Sequence, residues 1–157
     1  MKRRRQRSER MRALRLWEWQ DVTKAVPYLR SVTGSLREHW LEVLSANRQL
    51  QLSNQEKTPA KRQQILEKEA RLDECRRAQT RFEVALAELN EVDAFLLDPV
   101  KAQALIPFRK EDDLAWYVFD HFAPSGLIGW RNHSDPIEEC RPLELLHETT
   151  AKDVVSN

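Results

Sequence analysis

Near the C-terminal end, six residues carry side chains used in metal or nucleophilic chemistry: His121, His133, Asp135, Glu138, Glu139 and Cys140. His133, Asp135 and Cys140 fall within one loop's length, with His121 placed to reach across from a neighbouring strand. Imidazole, carboxylate and thiolate together form a permitted zinc ligand set. Zinc sites usually bring ligands as closely spaced pairs, and the sequence contains no such pair. Polar residues of an exposed loop account for the same letters, so neither a metal nor a cofactor is expected. A Cys140–His133 nucleophile pair lacks a third group to orient the base. The glycine-rich phosphate loops and the G-x-S-x-G and H-E-x-x-H hydrolase motifs are missing from the sequence. The reading as a small metal-dependent enzyme therefore rests on this loop alone, and no catalytic residue is assigned.

Two other groups bear on binding. Trp130, Arg131, His133, Asp135 and Arg141 define a candidate C-terminal polar site, because a guanidinium beside an aromatic face can hold a phosphate or a stacked base. The competing reading buries Trp130 in a small core and turns the arginines to water. Residues 1–15 carry eight basic side chains and one acid, a formal charge of +7 in a chain whose total is +1. Within this arm Lys2, Arg3, Arg4, Arg5 and Arg7 are candidate nucleic-acid contacts, each able to neutralise one phosphate in a salt-sensitive, sequence-blind way. A solvated arm, or one folded back on the acidic body, explains the same charges.

The composition narrows the setting. A length of 157 residues suits one domain, and 32% charged residues suit long solvated helices. Only 3 glycines against 7 prolines argues against a β-rich fold joined by tight turns. No run approaches the roughly 18 apolar residues of a membrane-spanning helix, so no membrane partner is expected. No apolar stretch follows the basic N-terminus, which argues against secretion. Two cysteines, Cys75 and Cys140, cannot build a disulfide framework, and a reducing, cytoplasmic setting is expected.

The positioning elements are helical. Val22, Val26, Leu29, Leu36, Trp40, Val43 and Leu50 follow one heptad frame, with Thr33 and Asn47 as its polar members. Pro27 either kinks this helix or marks where its regular part begins. Gln51–Lys57 reads as a loop, and Thr58-Pro59 as the N-cap and first residue of a second helix reaching to about Leu97. Its apolar side holds Ile65, Leu72, Cys75, Phe82, Leu86, Leu89, Val92 and Leu96. Two such helices bury one stripe each, so a homodimer completing a four-helix bundle is expected. Leu36, Trp40, Val43, Phe82 and Leu86 are its candidate seam.

After Asp98-Pro99 the heptad disappears and aromatics gather. Leu114–Phe122 and Leu127–Trp130 read as two strands joined at Ala123-Pro124-Ser125-Gly126. The expected fold is mainly α: a long, coiled-coil-like antiparallel helical hairpin with a small C-terminal β-hairpin. The chain divides into a basic flexible arm (1–15), the helical hairpin (16–98), a small β-containing module (99–145) and a flexible tail (146–157).

This order is similar to the bacterial domain-of-unknown-function family 2203. The resemblance is carried by Trp17 through Pro27 and Leu29, by Ala104, Leu105, Ile106 and Phe108, by Gly129-Trp130, and by Arg141-Pro142-Leu143. It covers roughly residues 16 to 145. The family's Trp-His-Asp turn is Trp130-Arg131-Asn132 here, its Gly-Phe-Ala-Gly-Arg stretch is Pro136 to Cys140, and Pro107 replaces an Asp. The resemblance implies the fold and supplies no biochemical activity. Two function classes follow. One is a non-enzymatic scaffold or interaction protein that self-associates through its helices. The other is an accessory protein bound to RNA or a ribonucleoprotein, such as the ribosome, through the arm.

Overall fold

The computed structural model describes residues 13–55 and 61–146. Two helices, α1 (Trp19–Asn54) and α2 (Arg62–Glu91), form an antiparallel hairpin. Four strands follow: β1 (Phe95–Asp98), β2 (Gln103–Lys110), β3 (Asp113–Asp120) and β4 (Leu127–Asn132). All four pair antiparallel in chain order, as one meandering sheet. The small C-terminal β-hairpin expected from sequence is thus corrected to a four-stranded sheet packed on the helices.

The heptad frame marks the helix core well. Val22, Leu29, Leu36 and Thr33 are fully buried and Val43 nearly so. Thr33 satisfies its hydroxyl within the helix by donating to the Leu29 carbonyl at 2.7 Å. Ala46, Ala78 and Ala85 are also buried, and their small side chains let the two helices approach closely. α1 runs unbroken through Pro27 and continues to Asn54, so residues 51–54, expected in a loop, are helical. Nothing from Gln51 to Asn54 breaks a helix. The Thr58-Pro59 start lies outside the described residues; the first described turn of α2 is capped by Gln64, whose side-chain oxygen accepts the Lys61 amide at 3.1 Å.

α2 ends at Glu91, short of Leu97, because Asp93 turns left-handed with φ 55° and the Ala94 amide folds back onto the Leu89 carbonyl at 3.3 Å. Trp17 locks this corner. Its buried ring donates Nε1–H to the carbonyls of Val92 and Asp93, at 3.1 and 3.2 Å. Leu96, counted in the helical stripe from sequence, belongs instead to β1 and pairs with Ala104.

Core residues on β2 and β3 come two apart, and a register shift at Val118/Phe119 lets Leu127 and Trp130, three apart on β4, join them. Ala104, Ile106 and Phe108 on β2, Ala115, Tyr117 and Phe119 on β3, and Leu127 and Trp130 on β4 join Val22, Leu29, Leu36 and Leu89 in one core. Phe108 stacks on Tyr117 at 3.9 Å, and Trp19 closes on the other side of that pair at 5.5 Å. Pro107 sits inside β2 without losing a ladder bond, since its edge extends past β1 and its carbonyl accepts the Trp17 amide at 2.8 Å.

The turn end of the sheet is clasped by α1. Arg30 donates to the carbonyls of His121, Ala123 and Pro124, between 2.6 and 3.2 Å, and Arg37 donates to the Val100 carbonyl at 2.9 Å. Gly34 makes the approach possible. A Cβ there would lie 2.8 Å from His121 Cε1, and the His121 ring donates Nδ1–H to the Arg30 carbonyl at 2.8 Å. The sheet therefore covers the base half of the hairpin, and Trp40, one turn beyond Arg37, opens the half beyond it.

Candidate functional site

Beyond β4 the chain turns back on itself, and Trp130, Arg131, Asp135 and Arg141 of the candidate polar site meet there, while His133 lies against Trp116. The Asp135 carboxylate organises them. It accepts the Asn132 amide at 2.9 Å and takes both prongs of Arg141, at 2.8 and 2.9 Å. Arg131 donates to the Asp135 carbonyl from a nearly buried position. Arg141 is itself fixed by two backbone bonds with Trp130, at 3.0 and 2.7 Å, a single-residue bridge that extends the sheet edge.

Trp130 is 3% exposed, so its ring is part of the core and closed to stacking by a base. Its indole donates to the Pro142 carbonyl at 3.1 Å. Lys110 Nζ lies 4.0 Å from the ring centroid and the Arg141 guanidinium carbon 5.4 Å, so two cations already use its π-surface. His133 accepts the Trp116 indole N–H on Nδ1 at 3.2 Å, which places its own proton on Nε2. Arg131, Asp135 and Arg141 spend most of their polar capacity on one another and on nearby backbone, Trp130 packs beside Arg141, and His133 bonds Trp116 instead. Within this cluster the buried Arg131 Nε has no partner among the described residues.

This arrangement sets the local electrostatics. The paired Arg141 side chain and the Asn132 amide hold the Asp135 carboxyl down at about 2, well below its ordinary 3.8. A depressed carboxyl contributes stability above the ordinary value, and loses it as pH falls through the folded one. Asp135→Asn therefore lowers the unfolding midpoint at neutral pH. The gap to the parent chain narrows below about pH 4 and closes near pH 2. Thermal melts of both chains across that range measure it, and a gap independent of pH would contradict the assignment.

The ligand set considered for a metal does not assemble. His121 is held against α1 at the turn end of the sheet, whereas the His133 amide bonds the Leu114 carbonyl at the opposite end of β3. Among the described residues, no group of three or more His, Cys, Asp and Glu side chains is placed to hold a metal ion. The Cys140 thiol lies over Gly129, and burial pushes its pKa up, away from the thiolate a nucleophile needs.

Two grooves remain. One, of about 720 Å³, runs between α1 and β4 and is lined by Trp19, Thr23, Val26, Leu127 and Leu143 among others. The second, of about 390 Å³, lies along the helical hairpin beyond the sheet, lined by Trp40, Val43, Asn47, Gln79, Phe82, Glu83 and Leu86. Trp40 and Phe82 pack across it with centroids 5.1 Å apart. Of the five candidate seam residues, Leu36 and Val43 are buried inside the single hairpin, while Trp40, Phe82 and Leu86 are half-buried at this groove. The sequence did not single out Trp17, Arg30, Arg37 or Gly34 for their positioning roles. A tryptophan ahead of the first helix and a glycine inside it were the signals available.

Lys2, Arg3, Arg4, Arg5 and Arg7 lie outside the described residues. No helix among the described residues is long and apolar enough to cross a membrane. Comparison of the chain with protein-family models, with curated proteins and with solved structures gave no match.

Proposed function

We propose that this chain is a non-enzymatic interaction protein that self-associates through its helical hairpin, a divergent relative of the bacterial domain-of-unknown-function family 2203. The observation that carries this reading is the groove between Trp40 and Phe82. The sheet covers the base half of the hairpin and supplies its third layer; among the described residues the outer half has none, and Leu41, Leu44, Ile65 and Leu66 are between 38% and 57% exposed. A two-helix element with this much apolar surface is completed by a further helical layer. The polar cluster around Asp135 supports the same reading, because its charges neutralise one another in holding the β4 edge shut. Light scattering on the full chain at tens of micromolar tests it. The expected mass is twice the 18.5 kDa of one chain, and a mass of 18.5 kDa overturns it.

The +7 charge of residues 1–15 favours a second reading, an RNA-associated accessory protein. Its mark is retention of labelled RNA that weakens steeply with salt and disappears in a chain beginning at residue 16. Equal retention without the arm, or none at low salt, removes it.

A further inference from the structure

We propose that a second copy of this chain packs on the Trp40–Phe82 flank in antiparallel orientation, with the two-fold axis passing beside Cys75 and Asn47; this rests on the self-association proposed above. The two flanks of the hairpin differ in kind. One is closed by its own polar contacts. Tyr28 donates to Glu88 at 3.3 Å, and Arg81 bridges Glu42 and Glu74 at 3.3 and 3.0 Å. The other is the flank covered by the sheet at the base, and it continues outward as the open groove.

Steps of three and four from Phe82 carry this open flank along α2 through Gln79, Cys75, Leu72, Lys68 and Ile65. Its charges are sorted by position: Lys68 is exposed toward the outer end, and Glu83 is exposed toward the sheet. Stacking two hairpins flank to flank leaves two choices of two-fold axis. An axis across the helices lays α2 against α2 of the second copy, running oppositely. One register then sets Lys68 against Glu83, Ile65 against Leu86 and Leu72 against Gln79, each pair formed twice. Because Trp40 is level with Phe82, Asn47 is level with Cys75 on the adjacent helix and meets its own copy at the axis. A neutral amide at such a position fixes register and orientation.

An axis along the helices instead lays α1 over α2. By the same levels it sets Glu83 against His39 and Lys68 against Asn54, and leaves Lys68 without a carboxylate partner. Charge complementarity therefore selects the antiparallel form. The sheet adds a wall at the end of the groove. Phe122 and Val100 are 62% and 47% exposed beside Arg37, whose guanidinium carbon sits 5.2 Å from the Phe122 ring centroid. In the antiparallel stack the outer end of the second hairpin meets that wall.

The test uses the full chain with Cys75→Ser and Cys140→Ser and a nitroxide at Arg62→Cys. At about 1.5 Å per residue the two labels lie about 40 Å apart in the antiparallel stack and under about 25 Å in the parallel one. A dimer with the long separation supports the proposal. A dimer with the short separation overturns the orientation while leaving self-association standing, and a monomer overturns both. Charge reversal gives an independent reading by sedimentation equilibrium. Lys68→Glu and Glu83→Lys should each weaken the dimer severalfold, with most of the loss recovered when the two are combined. Weakening that simply accumulates in the double variant would contradict the pairing.

Discussion

Trp40→Glu holds the chain at its single-copy mass under conditions where the parent chain associates. Trp40 is half-buried against Phe82 at the centre of the groove, and a central aromatic of an interface contributes about 2–4 kcal/mol when truncated. A carboxylate placed there must also lose its water on association, a further cost. The combined effect is at least about a hundredfold in the dimer constant. Folding should survive. The principal core is built from Val22, Leu29, Leu36, Leu89 and the sheet, on the base half of the hairpin. The decisive comparison is light scattering beside far-ultraviolet circular dichroism: lost mass with kept helix supports the assembly, and unchanged mass rejects it.

Gly129→Ala is the substitution expected to damage the sheet most. A Cβ on Gly129 would collide with Cys140 Sγ and lie 2.5 Å from the Arg141 carbonyl oxygen. The thiol can rotate away. The carbonyl cannot, because it accepts the Trp130 amide at 3.0 Å, and the Arg141 side chain is pinned by Asp135. Relief requires the returning segment to leave β4, with loss of the Trp130–Arg141 bridge. Overpacking of this kind costs about 1–3 kcal/mol, and the backbone contact puts it at the upper end. Cys140→Ala in the same chain should recover only part of that loss, since it relieves the sulfur contact and leaves the carbonyl in place. Denaturant titrations of the three chains measure both effects. Full recovery would mean that the thiol alone sets the limit.

The helices were legible because their apolar residues repeat. Val22, Leu29, Leu36 and Val43 come seven apart, and each is buried. The sheet was half-legible, for a reason that lies in its turns. With so few glycines the sequence lacks the usual turn signals, yet Asp93, Ala102 and Glu111 adopt left-handed φ of 55°, 53° and 57° without one. Those three positions end α2, join β1 to β2 and join β2 to β3. With them silent, Leu96 passed as another helical residue and Ala104–Phe108 as a motif without a structure. β3 announced itself through Trp116, Tyr117 and Phe119, and β4 through Gly126 just before it.

The polar site followed a similar division. The residue types were visible, and the returning chain does join Arg131, Asp135 and Arg141, whereas His133 turns to Trp116. Their mutual bonding was not visible, because the Asp135–Arg141 fork depends on where Asn132 ends β4 and how the chain turns back. The groove at Trp40 depends on how far the sheet reaches along the hairpin, a length set by Arg30, Gly34 and Arg37. No spacing rule in α1 contains that information.

The reach of the sheet also sorts the chain's chromophores. Trp17, Trp19, Trp116 and Trp130 all lie on or beside the sheet-covered base, where Trp17 and Trp130 are 9% and 3% exposed. Trp40 alone stands on the outer hairpin. Emission from a chain retaining only Trp40 would report on the groove by itself, while the other four report on the folded base. The five indoles thus make two separate optical gauges, one for folding and one for what comes to rest against the helices.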